Sequence, residues 1–215
     1  MVTILPGVGS FGDAMDKLNN YKLVPVIEEI CQKKTPFMGI CLGLQLLFKS
    51  SEETKGVPGL GILDGEIVRF SDDFGLKIPH IGWNSLDISP DGRLFKDIND
   101  QSYVYFVHSY YLKAKDEAIV KAKSEYGNII HASVEKDNIF ACQFHPEKSG
   151  GGRHCAGGHA DCRSDGRGDP GQDRRAPCGA GLLSARGWGR RSMTDKERLQ
   201  RQIDFLVEAD KEKNI

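Results

Sequence analysis

Residues 36–48, PFMGICLGLQLLF, are apolar almost throughout, with a cysteine set between two glycines, and no other stretch restricts the fold as much. PFMGIC is a continuous apolar run of the kind found in a strand buried on both faces, and LGLQLLFKS follows it as a helix. Upstream, VTILPGVG reads as a short strand entering a glycine-rich turn. LVPVIEEICQKK then places Leu23, Val26, Ile27, Ile30 and Cys31 at helical spacing, with Pro25 acceptable in the first turn. Strand, helix, strand, helix predicts an α/β domain built on a parallel sheet.

Further along the rhythm changes. GEIVRF, IGWNSLDIS, SYVYFVHSYYLKA, AIVKAKSEY, NIIHASVEK and NIFACQFHP are short strand-like runs separated by turn signals such as Tyr126-Gly127-Asn128 and Asp137-Asn138. Much of this pairs antiparallel, which makes the central sheet mixed. A compositional break comes at Gly150. Before it the arginines are Arg69 and Arg93; from 150 to 192 arginine replaces lysine altogether and glycine occupies more than a quarter of positions. Such a segment buries too little apolar surface to offset its ordering entropy and is expected to be disordered. Residues 193–215 read as an amphipathic helix of unknown role, with a capping box of Thr194 and Glu197. Three regions follow: a folded domain over 1–149, a disordered Gly/Arg-rich segment over 150–192, and the helix over 193–215.

The 215 residues carry a formal net charge of -1, which offers no electrostatic case for nucleic acid or membrane. No apolar run approaches the roughly 18 residues of a spanning helix, and the opening residues lack the pattern of a signal peptide, so the cytoplasm is expected. The six cysteines have no regular disulfide spacing. His154, Cys155, His159, Cys162 and Cys178 lack the paired close spacing of structural zinc sites, and incidental thiols are the expectation there, with no metal.

Cys41 lies in Gly39-Ile-Cys41-Leu-Gly43, a strand–turn–helix pattern in which a nucleophile sits on a tight turn and glycines let strand and helix approach. The free N–H groups of a helix starting at Leu42 are expected to lower the thiol pKa and to stabilise an oxyanion. The alternative is a small apolar residue in a buried strand. A base is available in FACQFHPEK, where proline after His145 favours extended backbone and brings Glu147 to the same side as the imidazole. A carboxylate holding the imidazole tautomer would complete a triad. In LPGVGSFG, Gly7 and Gly9 leave amides such as those of Val8 and Gly9 free to face negative charge.

LPGVGSFGDAM, PFMGICLGLQLLF, PHIGWNS, YFVHSYY and FHPEKSG, in this order, resemble the glutaminase subunits of imidazole glycerol phosphate synthase, members of the class I glutamine amidotransferases, over roughly residues 3–149. The resemblance implies a flavodoxin-like α/β domain with a mixed sheet flanked by helices. It implies that Cys41 attacks the amide of glutamine, His145 passes the proton to the departing ammonia, and Glu147 orients the imidazole. The amides of Val8 and Leu42 would form the oxyanion hole, the former after a backbone rotation driven by the partner. Gly9, Gln45, Ser109 and Tyr110 match positions that hold glutamine; Pro79, His80, Trp83 and Asn84 match the segment facing a cyclase subunit that receives the ammonia. No cofactor is implied. In the family a strand–helix unit precedes LPGVG and a final helix follows FHPEKSG, so the domain over 1–149 is expected to be incomplete. Two other readings keep the motifs: a glutaminase serving another synthase, and a catalytically dead fragment.

Overall fold

The structure, a computed structural model, describes residues 2–149. The elements run β1 (Thr3–Gly7), α1 (Phe11–Asn20), α2 (Val24–Gln32), β2 (Phe37–Cys41), α3 (Leu42–Leu46), β3 (Ser50–Ser51), β4 (Gly65–Arg69), β5 (His80–Ser85), β6 (Asp87–Ile88), β7 (Tyr103–His108), β8 (Tyr110–Ala114), β9 (Val120–Tyr126), β10 (Asn128–Lys136) and β11 (Ile139–Cys142), with short 3₁₀ turns between some of them. The segment over 150–192 expected to be disordered, the helix expected over 193–215 and the five weighed zinc-ligand candidates all lie outside the described residues.

The main sheet has the order β1-β2-β11-β10-β9-β6. Its β1·β2 and β2·β11 pairs are parallel, whereas β11·β10, β10·β9 and β9·β6 are antiparallel. This is the mixed sheet expected from the change of rhythm along the sequence. Smaller sheets, β3-β4-β8 and β5-β7, pack beside it. Both faces of the main sheet are covered. Phe37 and Ala141 join a core with Phe11, Met15, Leu44 and Phe48, and Met38, Phe140 and Cys142 join a second with Phe106 and Phe144. Burial on both sides is why β2 reads as continuous apolar sequence. Among the described residues no helix is long and apolar enough to cross a membrane.

IGWNSLDIS is two strands, β5 and β6, in different sheets, and three further departures from the sequence reading bear on the site. A helix, α1, occupies Phe11–Asn20, where only a glycine-rich turn was expected. Ser10 caps it by accepting from the Asp13 N–H, and Phe11, Met15 and Leu18 form its buried stripe. Gly12 sits inside this helix because a Cβ there would lie 2.8 Å from the Thr54 methyl. The helix expected over LGLQLLFKS stops at Leu46. The carbonyls of Leu46, Leu47, Phe48 and Lys49 instead accept from the amides of Leu60, Leu63, Gly61 and Gly59, which draws the backbone out of the helix. Finally, SYVYFVHSYYLKA is two strands: β7 pairs with β5 and β8 with β4, and the chain turns between sheets at Ser109.

The closest approach in the fold is at Gly43, where an added Cβ would stand 1.8 Å from the Leu5 carbonyl oxygen of β1. Gly39 is similarly constrained, 2.8 Å from the Gly43 carbonyl oxygen. A Gly43→Ala substitution is expected to force α3 off β1 and to destabilise the chain by at least about 3 kcal/mol, measured by urea unfolding.

Candidate active site

Cys41 ends β2 and directly precedes α3, with φ 55° and ψ −109°. A positive φ at a residue with a Cβ is strained and persists only where the surroundings impose it. Here both sides are fixed: the preceding strand is hydrogen-bonded between β1 and β11, and the following helix is pressed onto β1 through Gly43. The turn therefore holds the thiol at the C-terminal edge of the parallel strands, the edge at which open α/β sheets carry their sites.

β11 runs parallel to β2 with Cys142 opposite Ile40. The chain continuing past it delivers His145 to the same edge, anchored by its N–H donating to the Tyr105 carbonyl. The His145 Nδ1 lies 2.8 Å from the Glu147 Oε1, so Nδ1–H donates to the carboxylate and Nε2 carries the lone pair. That Nε2 is buried and has no hydrogen-bond partner among the described residues, Cys41 included. A buried nitrogen left open in this way is suited to accept a proton from a group brought to it, and catalytic hydrogen bonds commonly tighten only once substrate binds.

The Cys41 sulfur instead accepts from the Gln143 Nε2 at 3.7 Å. The Gln143 Oε1 accepts from the Gln45 Nε2 at 3.0 Å, and the same Gln45 nitrogen donates to the Tyr110 carbonyl at 3.1 Å. That carbonyl also receives the His108 Nδ1–H at 2.9 Å. His108 then accepts through Nε2 from the His80 Nδ1–H at 3.1 Å. A line of neutral donors and acceptors thus joins β5 to the Cys41 turn.

Electrostatics differ from the expectation of an acidified thiol. Burial pushes the Cys41 thiol above its ordinary pKa, and it outweighs the Leu42 N–H and the Gln143 amide that pull the other way. The five-residue α3 gives the short turn too little dipole to reverse that. Burial also lowers His80 to about 4 and His108 to about 3. Both imidazoles are neutral at pH 7, as the hydrogen-bond line requires.

The sequence profile of the family described as "Glutamine amidotransferase class-I" matches residues 1–155. The imidazole glycerol phosphate synthase subunit HisH of Methanocaldococcus jannaschii is 50% identical over 147 residues, which is 68% of this chain and 72% of the relative. The HisH subunit of Aquifex aeolicus is 49% identical over 148 residues, 69% of this chain and 70% of the relative. A solved glutamine amidotransferase from Thermotoga maritima superposes with a TM-score of 0.52 at 21% identity, covering 69% of this chain and 56% of that one. The chain belongs to the class I glutamine amidotransferase family. Within it, the chain groups with the HisH glutaminase subunits.

As a class I amidotransferase domain, the chain places the remaining expected residues as follows. Gly9, at φ 99°, and Val8, 85% exposed, form the loop after β1, whose last residue, Gly7, pairs with Cys41. A cavity of about 250 Å³ is lined by Val8, Gly9, Leu42 and residues of α1, and neither Cys41 nor His145 lines it. Gln45 is buried and bonded to Gln143 and to the Tyr110 carbonyl, and Ser109 and Tyr110 form the corner between β7 and β8. A larger cavity near Asp91 and Phe95 includes none of the expected site residues. On β5 the pleat separates the four expected partner-facing residues. Trp83 is exposed and packs edge-on against Tyr105. His80 faces inward, stacked on Tyr126 at 3.9 Å between ring centroids, and Asn84 donates to the Glu125 carbonyl. Pro79 precedes them at a cis peptide bond. Gln143 was not singled out in the sequence; its position two residues before His145 was the signal available.

His80 binds a proton less readily folded than unfolded, so the stability of the neutral fold is complete above pH 6.5 and is lost as pH falls through about 4. His108 extends that loss toward about 3. The urea midpoint is expected to fall between pH 6.5 and 4, and less steeply in His80→Phe, which keeps the ring stacking; an unchanged slope would contradict this assignment.

Proposed function

We propose that the chain acts as the glutaminase subunit of an imidazole glycerol phosphate synthase, hydrolysing glutamine to glutamate and ammonia. The observation that carries the reading is the strained Cys41 turn on β2 together with a His145–Glu147 pair, delivered by the adjacent β11, whose Nε2 is open, in a chain 50% identical to a HisH subunit over 147 residues.

In this reading His145 Nε2 takes the Cys41 thiol proton as the sulfur attacks the side-chain amide carbon of glutamine. The raised thiol pKa means that the proton leaves during attack rather than before it. The Leu42 N–H, and that of Val8 when its loop turns inward, stabilise the oxyanion. The imidazolium returns the proton to the leaving nitrogen, ammonia departs, and a thioester remains. Water activated by His145 hydrolyses it, so that glutamine and water give glutamate and ammonia with the thiol restored. Glu147 holds the Nδ1–H throughout and stabilises the imidazolium. Both Gln45 side-chain N–H groups are occupied, so its Oε1 is the atom offered to the substrate. Gly9, Ser109 and Tyr110 border the same edge as substrate contacts.

Ammonia passes to a cyclase subunit in the cytoplasm, which forms imidazole glycerol phosphate and an aminoimidazole carboxamide ribotide for histidine biosynthesis. The docking face is the outward side of the β5-β7 sheet, where Ile81, Trp83 and Tyr103 are exposed, with Pro79 at its start. The near-zero net charge gives no support to a nucleic-acid or membrane partner.

The test is glutamate release from glutamine, with and without a cyclase subunit and its ribonucleotide ligand. Turnover is expected to depend on the partner and to fall about 10³-fold or more in Cys41→Ala and about 10²-fold in Glu147→Gln. Partner-dependent turnover that survives Cys41→Ala would overturn the reading.

A further inference from the structure

We propose that Gln143 is a further member of the hydrolytic site, a side chain whose amide donates to the Cys41 sulfur and holds the charge that develops there during attack. This rests on Cys41 being the nucleophile. Gln143 is fully buried. It lies just past β11, where its N–H donates to the Ala132 carbonyl and keeps this stretch against β10. Phe144 turns into the core on one side of the chain. The chain bends at Gln143 and Phe144, and from this bend the Gln143 amide reaches the Cys41 sulfur.

Which end of the amide meets the sulfur is decided by its neighbours. Gln45 cannot donate to an NH₂ group, so its hydrogen bond requires the Gln143 oxygen at that position. Gln45 is itself fixed, because its second N–H is spent on the Tyr110 carbonyl. The remaining Gln143 edge is therefore a donor, and the sulfur stands 3.7 Å from it. To a neutral thiol such a bond is weak. To a thiolate it is charge-assisted and roughly twice as strong, so it favours the reacting state over the resting one. A neutral donor has a further advantage here, because it adds no positive charge that would keep the neighbouring imidazole from taking the proton.

The experiment uses the full chain with its cyclase subunit and two variants. Gln143→Met fills the volume without donors; Gln143→Asn keeps the amide but withdraws it by one methylene. Steady-state glutamate release is measured together with the pH dependence of Cys41 alkylation by iodoacetamide, read on the Cys41 peptide by mass spectrometry. The expected result for Gln143→Met is a kcat about ten- to hundredfold lower, a KM within about threefold of the parent, and an alkylation profile displaced upward by about one pH unit. Gln143→Asn should move both in the same direction. A lower kcat with an unmoved alkylation profile would assign Gln143 to packing alone and overturn the proposal. So would parent-like kinetics, or loss of cooperative unfolding in both variants. The Cys41→Ala control separates the two levels: if it loses turnover and Gln143→Met does not, only the role of Gln143 fails, whereas turnover in Cys41→Ala removes the nucleophile itself.

Discussion

Everything at the reactive edge depends on how closely α3 lies on β1. With no side chain at Gly43, helix backbone rests directly on the Leu5 carbonyl, and the turn before it has to reverse within one residue. Cys41 absorbs that reversal by taking a positive φ. The strain is local, and the two elements on either side of it are among the best-packed parts of the molecule: Phe37, Leu44, Leu47 and Phe48 are fully enclosed. A scaffold of this kind can hold a side chain in an unfavourable backbone conformation because relaxing it would mean opening the core.

The second determinant is electrical neutrality. The groups joining β5 to Cys41 are two amides, a backbone carbonyl and two imidazoles kept uncharged by burial. None brings a formal charge near the sulfur. The carboxylate that meets His145 is the solvent-facing member of the site: the Glu147 side chain is 58% exposed, whereas the imidazole it holds is buried.

Residues whose type carries chemistry were legible in the sequence. A cysteine between glycines after an apolar strand, with a buried core residue as its alternative, and a His-Pro-Glu after another drew their meaning from occurring together in the order of a known family, and the structure sets His145 against Glu147. The strands of the mixed sheet were legible from pattern. What stayed hidden depends on partners remote in sequence. α1 was obscured by Gly12, which reads as a helix breaker until Thr54 is seen against it. The end of α3 was set by amides from 59–63 that no local signal reveals. The rise in the Cys41 pKa follows from enclosure by other elements, whereas the sequence offered only the helix start. Gln143 is the clearest case: a glutamine can face anything, and its orientation is settled by Gln45, 98 residues away.

The parallel pairing of β2 with β11 also bears on the order in which the molecule forms. Strands adjacent in space here are separated by most of the domain in sequence, so the loop between them must close before the pairing can begin to repay its entropy. Cys41 can reach its turn as soon as β1, β2 and α3 dock, but His145 and Gln143 arrive only when the last strand inserts between β2 and β10. With β11 detached, Cys41 would stand without His145 and Gln143. Assembly of the candidate site is thereby tied to a pairing between strands about 100 residues apart, the kind of contact whose loop-closure entropy is largest.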